Sequence, residues 1–478
     1  MTSLNSRQRK MLYGILIFIL LGPIVYLGFP EDQRGIVSQR SNSWVTPLAR
    51  LRRDYDLGEA TLGEVDPSSS AMNLVLLGLR GPAASLMHLN AIEFQERKQW
   101  AKLRSTVDSI ILLQPHYVQI WKFQGWNLAY NVSREWDKVD DRYYWVKEGI
   151  KFVSKGTRRN ESIPILAHNV GEVVQQKMGV SDEKKFFRAF FREDPDERFS
   201  VNGQAGPDPE INAEAKDSYL VAYDWFSRAK VRDENDGVPN GILGKGMTYV
   251  FFRGSASKAL LNFAEAMTDE GNSFDDHISN WSRGLKEWTE VYGRERFLGL
   301  NDKVYQLYMG TGDEVSQQLK TLAEENGITV REQQDVWDRN VKMVNYDHWR
   351  GLANLEQQAE TRDMHKTFAA AKRAYLEGRS LNRQKADGTL EPSEAQVMVE
   401  DAMAKWLDVR SKNPAMFEVG SFLEEGMLMV QYWLAIHQLN ETNPQLDHPM
   451  RQIWEANPTL HNQTATEFYS ETRSMNLK

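Results

Sequence analysis

The chain contains no cysteine, which excludes disulfides, thiolate zinc sites, iron–sulfur clusters and cysteine nucleophiles together. Positive charge is not in excess either: 58 basic residues against 66 acidic ones leave a net charge of −8. The two signs are mixed along the sequence, so the basic footprint of a nucleic-acid binder is missing and no nucleic-acid partner is expected. The nine histidines show no HExxH, HxH or HxxxH spacing. His277, His348 and His448 each follow an aspartate but have no further partner at ligand spacing, so solvated or locally bonded histidines are expected rather than a metal site. GILGKGMT (Gly241 to Thr248) lacks a phosphate loop's first glycine, because Pro239 stands there. Ser255 and Ser257 lack the G-x-S-x-G setting of a nucleophile elbow. The paired carboxylates Asp275-Asp276 and Glu424-Glu425 read as solvated helix faces. No catalytic residue and no cofactor follow from the sequence.

What is present begins with an uncharged run from Met11 to Gly28, preceded by Arg7, Arg9 and Lys10 and followed by Glu31 and Asp32. As a helix it covers roughly 27 Å, close to the hydrocarbon thickness of a bilayer. Its positive flank is expected to stay in the cytoplasm, putting the body on the periplasmic or extracytoplasmic side. A cleaved signal peptide is the competing reading, but the exit Tyr26-Leu27-Gly28-Phe29-Pro30 has no small-x-small site. The expected organisation is a cytoplasmic stub and anchor over 1–30, in the bilayer through 11–28, and a polar, turn-rich juxtamembrane linker over 31–82.

Beyond Ala71 apolar residues recur every three or four positions, and alternating runs are scarce, so the body is expected to be all-α. Taking Pro115 as the closing proline of a 34-residue helix pair puts Met87, Ala91 and Phe94 at its large, small and aromatic positions. Leu103, Val107 and Ile110 then line the second helix. One period later stand Trp121 and Gly125, a large residue followed by a small one, where a neighbouring helix can approach closely. At such a crossing alanine is expected to fit in place of Gly125, and leucine is not. ILAHNVGEVVQQKMG offers Gly171 as the next small residue. A C-terminal pair is marked by Phe368, Ala371 and Tyr375, then Ala402, Trp406, Val409 and Pro414.

On these residues the chain resembles the tetratricopeptide (TPR) superfamily over about 200 residues. With its anchor and the stretches LLGLRGPAA, LQPHY, FQGWNLAYNVS, DRYYWVKEGIKF and NYDHWRG it also looks like a family of bacterial membrane-anchored TPR-like proteins. The resemblance implies an irregular α-solenoid that holds a protein or peptide on the face lined by first helices. It brings no catalytic residues. Candidate groove contacts are Lys122, Asn127 and Asn131, with His168, Glu172 and Gln175 in the next unit. The expected divisions are an N-terminal array over 83–245, a helical connection over 246–330, C-terminal TPR-like helices over 331–440 and a tail over 441–478.

Two aromatic features admit two readings each. Phe186, Phe187, Phe190 and Phe191 read as one helical face beside Lys184, Lys185, Arg188 and Arg192, either core or membrane surface. The 14 tryptophans suggest a carbohydrate or peptide platform, but Trp121, Trp126, Trp145, Trp281, Trp288 and Trp406 fall at helical spacing and most are expected in the core. The sequence therefore points to a membrane-tethered scaffold for a protein or peptide. An envelope-polymer hydrolase with a cleft of carboxylates and tryptophan, or a structural homo-oligomer, are the alternatives.

Overall fold

The computed structural model describes residues 80–200, 202–235, 247–299, 302–387, 389–418, 420–442 and 448–474. The apolar run 11–28, the linker up to residue 79 and positions 241–246 of GILGKGMT lie outside the described residues. Within them the protein is all-α: eighteen α-helices and two two-stranded β-ribbons. No helix among the described residues is long and apolar enough to cross a membrane. Residues 80–173 and 231–235 belong to one compact unit, and 174–230 with 247–474 to another. The division at Val173 falls inside the stretch 83–245.

The first unit holds α1 (Arg80–Glu96), α2 (Trp100–Leu113), α3 (Val118–Trp126), α4 (Val139–Arg159) and α5 (Pro164–Val173). Helix α2 buries Leu103, Val107 and Ile110 against α1, and Ala91 of α1 is fully buried. The Gln114-Pro115 break ends α2, because a residue before proline is pushed out of helical geometry. The Pro115 carbonyl then accepts from Trp121 Nε1 at 2.8 Å and from Asn160 Nδ2 at 3.2 Å, fixing the start of α3 beside the end of α4.

Helices α3 and α4 cross on glycine. A Cβ on Gly156 would lie 2.8 Å from the Trp121 ring, and one on Gly149 would lie 2.7 Å from the Gly125 carbonyl oxygen. A Cβ on Gly125 would collide with Val153 Cγ2. The expectation that alanine fits there is therefore corrected, since a β-branched valine in a helix has little rotamer freedom with which to withdraw. After Trp126 the helix widens into a π-helical stretch, Asn127–Val132.

The second unit opens with a π-helical stretch, Val174–Val180, then α6 (Lys184–Arg192), the short α7 (Pro209–Asn212) and α8 (Ser218–Asn235), whose last turn lies in the first unit. It continues through α9 (Met247–Glu270), α10 (His277–Lys286), α11 (Asp313–Asn326), α12 (Val330–Met343), α13 (Tyr346–Glu356), α14 (Ala359–Leu376), α15 (Glu394–Lys412), α16 (Ser421–Leu439), α17 (Arg451–Ala456) and α18 (Pro458–Ser474). The last two occupy the stretch read as a tail. A further π-helical stretch, Glu287–Gly293, extends α10. Neither ribbon was signalled by alternation: β1 (Phe297–Leu298) pairs with β2 (Val304–Tyr305), and β3 (Arg383–Gln384) with β4 (Leu390–Glu391) inside the loop between α14 and α15.

Aromatic rings seated on glycine recur in this unit. A Cβ on Gly179 would meet Tyr219 at 2.5 Å, one on Gly254 Tyr292 at 2.6 Å, and one on Gly426 Trp406 at 2.7 Å. Each ring also spends its polar atom on a backbone carbonyl: Tyr219 on Gly179, Tyr292 on Val250 and Trp406 on Phe422. Helices α14 and α15 pack as a pair over Phe368, Ala371, Ala402, Trp406 and Val409, while Tyr375 meets Tyr432 and Phe468 edge-on.

The four phenylalanines of α6 do not share a face. Phe187 and Phe191 are in the core with Arg188, whereas Phe186 is 55% exposed and Phe190 half-buried. The physical reason is the helical turn: i and i+4 align, but adjacent positions lie about 100° apart. Arg188 is held inside by Asp217 at 2.7 Å and Glu270 at 2.6 Å.

Candidate functional site

The candidate groove residues fall into two groups. Lys122 is on α3, and His168 and Glu172 are on α5, which packs beside α3. Asn127 is fully buried and its Oδ1 accepts from Asn131 Nδ2 at 2.9 Å, so this pair runs from the interior to a half-buried rim. Gln175 is half-buried on the π-helical stretch that opens the second unit. Gly171 is buried on α5.

Around Lys122 and Glu172 the structure adds residues that periodicity assigned to the core. Trp126 is 46% exposed, a correction to its expected burial. Its ring stacks on Tyr130, centroids 5.4 Å apart and planes within 15°. Lys122, Trp126 and Tyr130 follow one another at four-residue steps, so they form a row on one side of α3 and its π-helical extension. The π-helical stretch begins directly after Trp126, and such turns recur at functional sites.

Glu172 stands beside that row, with its side chain 49% exposed. Partial burial alone would push its carboxyl up, but the nearby His168, the Asn169 amide and the Lys122 charge outweigh it and hold it below the ordinary value. His168 Nδ1 lies 3.6 Å from Glu172, and Asn169 Nδ2 donates to Glu172 Oε2 at 3.1 Å. Asn169 is nine-tenths buried, and its Oδ1 has no hydrogen-bond partner. Burial, then the Glu172 charge, pushes the Tyr130 hydroxyl up to about 12, so it remains a hydrogen-bond donor. Chemically this face offers an aromatic plane, one carboxylate and one ammonium.

The second unit contains a cluster that no motif announced. His365 Nδ1 reaches Glu425 Oε1 at 2.8 Å and its Nε2 reaches Glu356 at 3.2 Å. His277 Nε2 lies 2.9 Å from the Glu356 backbone carbonyl and 3.3 Å from its carboxylate. A ring with a carboxylate on each nitrogen donates twice and is an imidazolium. Burial opposes that charge, yet Glu425 and Glu356 outweigh it and raise His365 well above its ordinary value. Burial would likewise raise Glu356, but His365 and His277 hold it down at about 2.

The expectation of solvated or locally bonded histidines is thereby corrected at His277 and His365, and that of a solvated carboxylate at Glu425. Nearby, Lys258 Nζ lies over the Trp349 ring without a hydrogen-bond partner, and burial pushes it down. Burial, then Asp269, pushes Glu265 up. No group of three or more His, Asp or Glu among the described residues has the arrangement of a metal site. No family model matches this chain, and neither does any curated protein.

Proposed function

We propose that this chain is a membrane-tethered scaffold that binds a protein or peptide partner outside the cytoplasm, through the face shared by α3 and α5. The observation that carries the reading is the exposed Trp126–Tyr130 stack with Lys122 and Glu172 beside it. Aromatic rings with charged neighbours that keep contact with water are what interface hot spots are made of. An irregular TPR-like solenoid is supported by the consecutive pairs α1–α2 and α3–α4, the later pair α14–α15, and the Trp121 and Gly125 crossing. The tether rests on the run 11–28 and its flanking charges.

A hydrolase reading draws on one observation, the opposed shifts of Glu265 and Glu356 on neighbouring helices, as an acid and a base would require. It is the weaker reading because Glu356 is enclosed and already engaged by two histidines.

The test is site-specific photocrosslinking in membranes from cells expressing the full-length chain. A photoreactive residue at Asn131 is expected to capture a polypeptide, and one at the exposed Lys155 of α4 is not. Equal capture at both positions, or none at Asn131, removes the reading.

A further inference from the structure

The polypeptide-binding face has a composition that selects among partners, and the inference here rests on that reading. Asn169 Nδ2 donates to Glu172 Oε2 at 3.1 Å, which holds a half-exposed carboxylate in place as an acceptor on this face. The exposed face of Trp126 adds an electron-rich plane on the same row as Tyr130, whose hydroxyl feels the Glu172 charge.

We propose that this face takes an arginine side chain of the partner, its guanidinium stacked on Trp126 and donating to the Glu172 carboxylate. Arginine fits better than lysine because its planar fork supplies several donors and stacks on aromatic rings. A carboxylate ligand would meet Lys122 but would set its charge against Glu172. Lys122 balances Glu172 in the free protein, so the guanidinium competes with it and binding weakens with salt.

The test uses the full-length chain in detergent and a fluorescent glycine–serine peptide carrying arginines, read by anisotropy. Two control peptides carry citrulline, which keeps the shape without the charge, or glutamate, in the same positions. The arginine peptide is expected to bind about tenfold more tightly than the citrulline peptide. Glu172→Gln should abolish that preference while the thermal melt stays unchanged, because the carboxylate is half exposed. Equal binding of arginine and citrulline, a preference that survives Glu172→Gln, or tightest binding of the glutamate peptide overturns the inference. If crosslinking at Asn131 persists without an arginine preference, the inference fails and polypeptide binding stands; if both are absent, both fail.

Discussion

The two units use polar side chains in opposite ways. Along α3 and α5 of the first, Lys122 and Glu172 keep contact with water. Around α10, α13, α14 and α16 of the second, His277, Glu356, His365 and Glu425 pair with one another mostly away from water, although one oxygen each of Glu356 and Glu425 has no hydrogen-bond partner. A polar group that is already paired inside a protein holds helices together, whereas one left facing solvent is free to meet a partner. The contrast predicts that mutations in the two clusters separate stability from binding.

The largest effect is expected for Glu356→Ala, which leaves the buried His365 imidazolium with Glu425 alone. Removing one partner of a buried ion pair costs about 3–5 kcal/mol, measured as a fall in the urea midpoint. The same network sets a pH profile. Glu356 is held below its unfolded value, so its contribution is present above about pH 4 and is lost as pH falls toward about 2. His365 is raised, so its contribution is full below about pH 6.5 and fades as pH rises toward its higher folded value. Urea unfolding of the native chain should therefore show a maximum between these limits, and Glu356→Gln should flatten the acid limb. An acid limb unchanged by that substitution would deny the network its role.

A comparable loss, about 3–5 kcal/mol, is expected for Phe187→Ala, against less than about 0.5 kcal/mol for Phe186→Ala one residue away. Equal losses would mean that both rings are core. Gly125→Ala should cost about 1–3 kcal/mol through Val153, and Val153→Ala in the same chain should recover part of it. The smallest effect on stability is expected at Trp126→Ala, within about 0.5 kcal/mol, with loss of crosslinking at Asn131. A large destabilisation there would move Trp126 into the core and dissolve the contrast between the units.

The helical body, its punctuation and the crossing at Trp121 and Gly125 were legible in sequence because they are local: a period, a proline, a large-small spacing. The exposure of Trp126 was not, since it and Trp121 both recur with apolar neighbours and only the position of α5 decides which face is open. The distinction between Phe186 and Phe187 required knowing on which side of α6 the core lies. The ion network was least visible. His277 and Glu356 are 79 positions apart and His365 and Glu425 are 60 apart, so their pairing exists only once α10, α13, α14 and α16 have packed. In the face itself, Lys122, His168 and Glu172 were named from the repeat register, although His168 is buried, while Asn169 and Tyr130 were missed because one acts through a hydrogen bond to Glu172 and the other through a stack on Trp126.

The π-helical stretch Asn127–Val132 has a further consequence, because it behaves as a one-residue insertion absorbed without leaving the helix. Upstream of it, Trp121 and Gly125 are phased to meet α4; downstream, Tyr130 is phased over Trp126. A continuous α-helix would tie those two phases together at about 100° per residue. Deleting a single residue from the stretch would rewind it to α geometry and turn everything after it by about 100° relative to the glycine crossing. The bulge works as a phase adjuster, letting one continuous rod answer to two neighbours at once, and a single codon gained or lost there would retune the face without touching any residue that lines it.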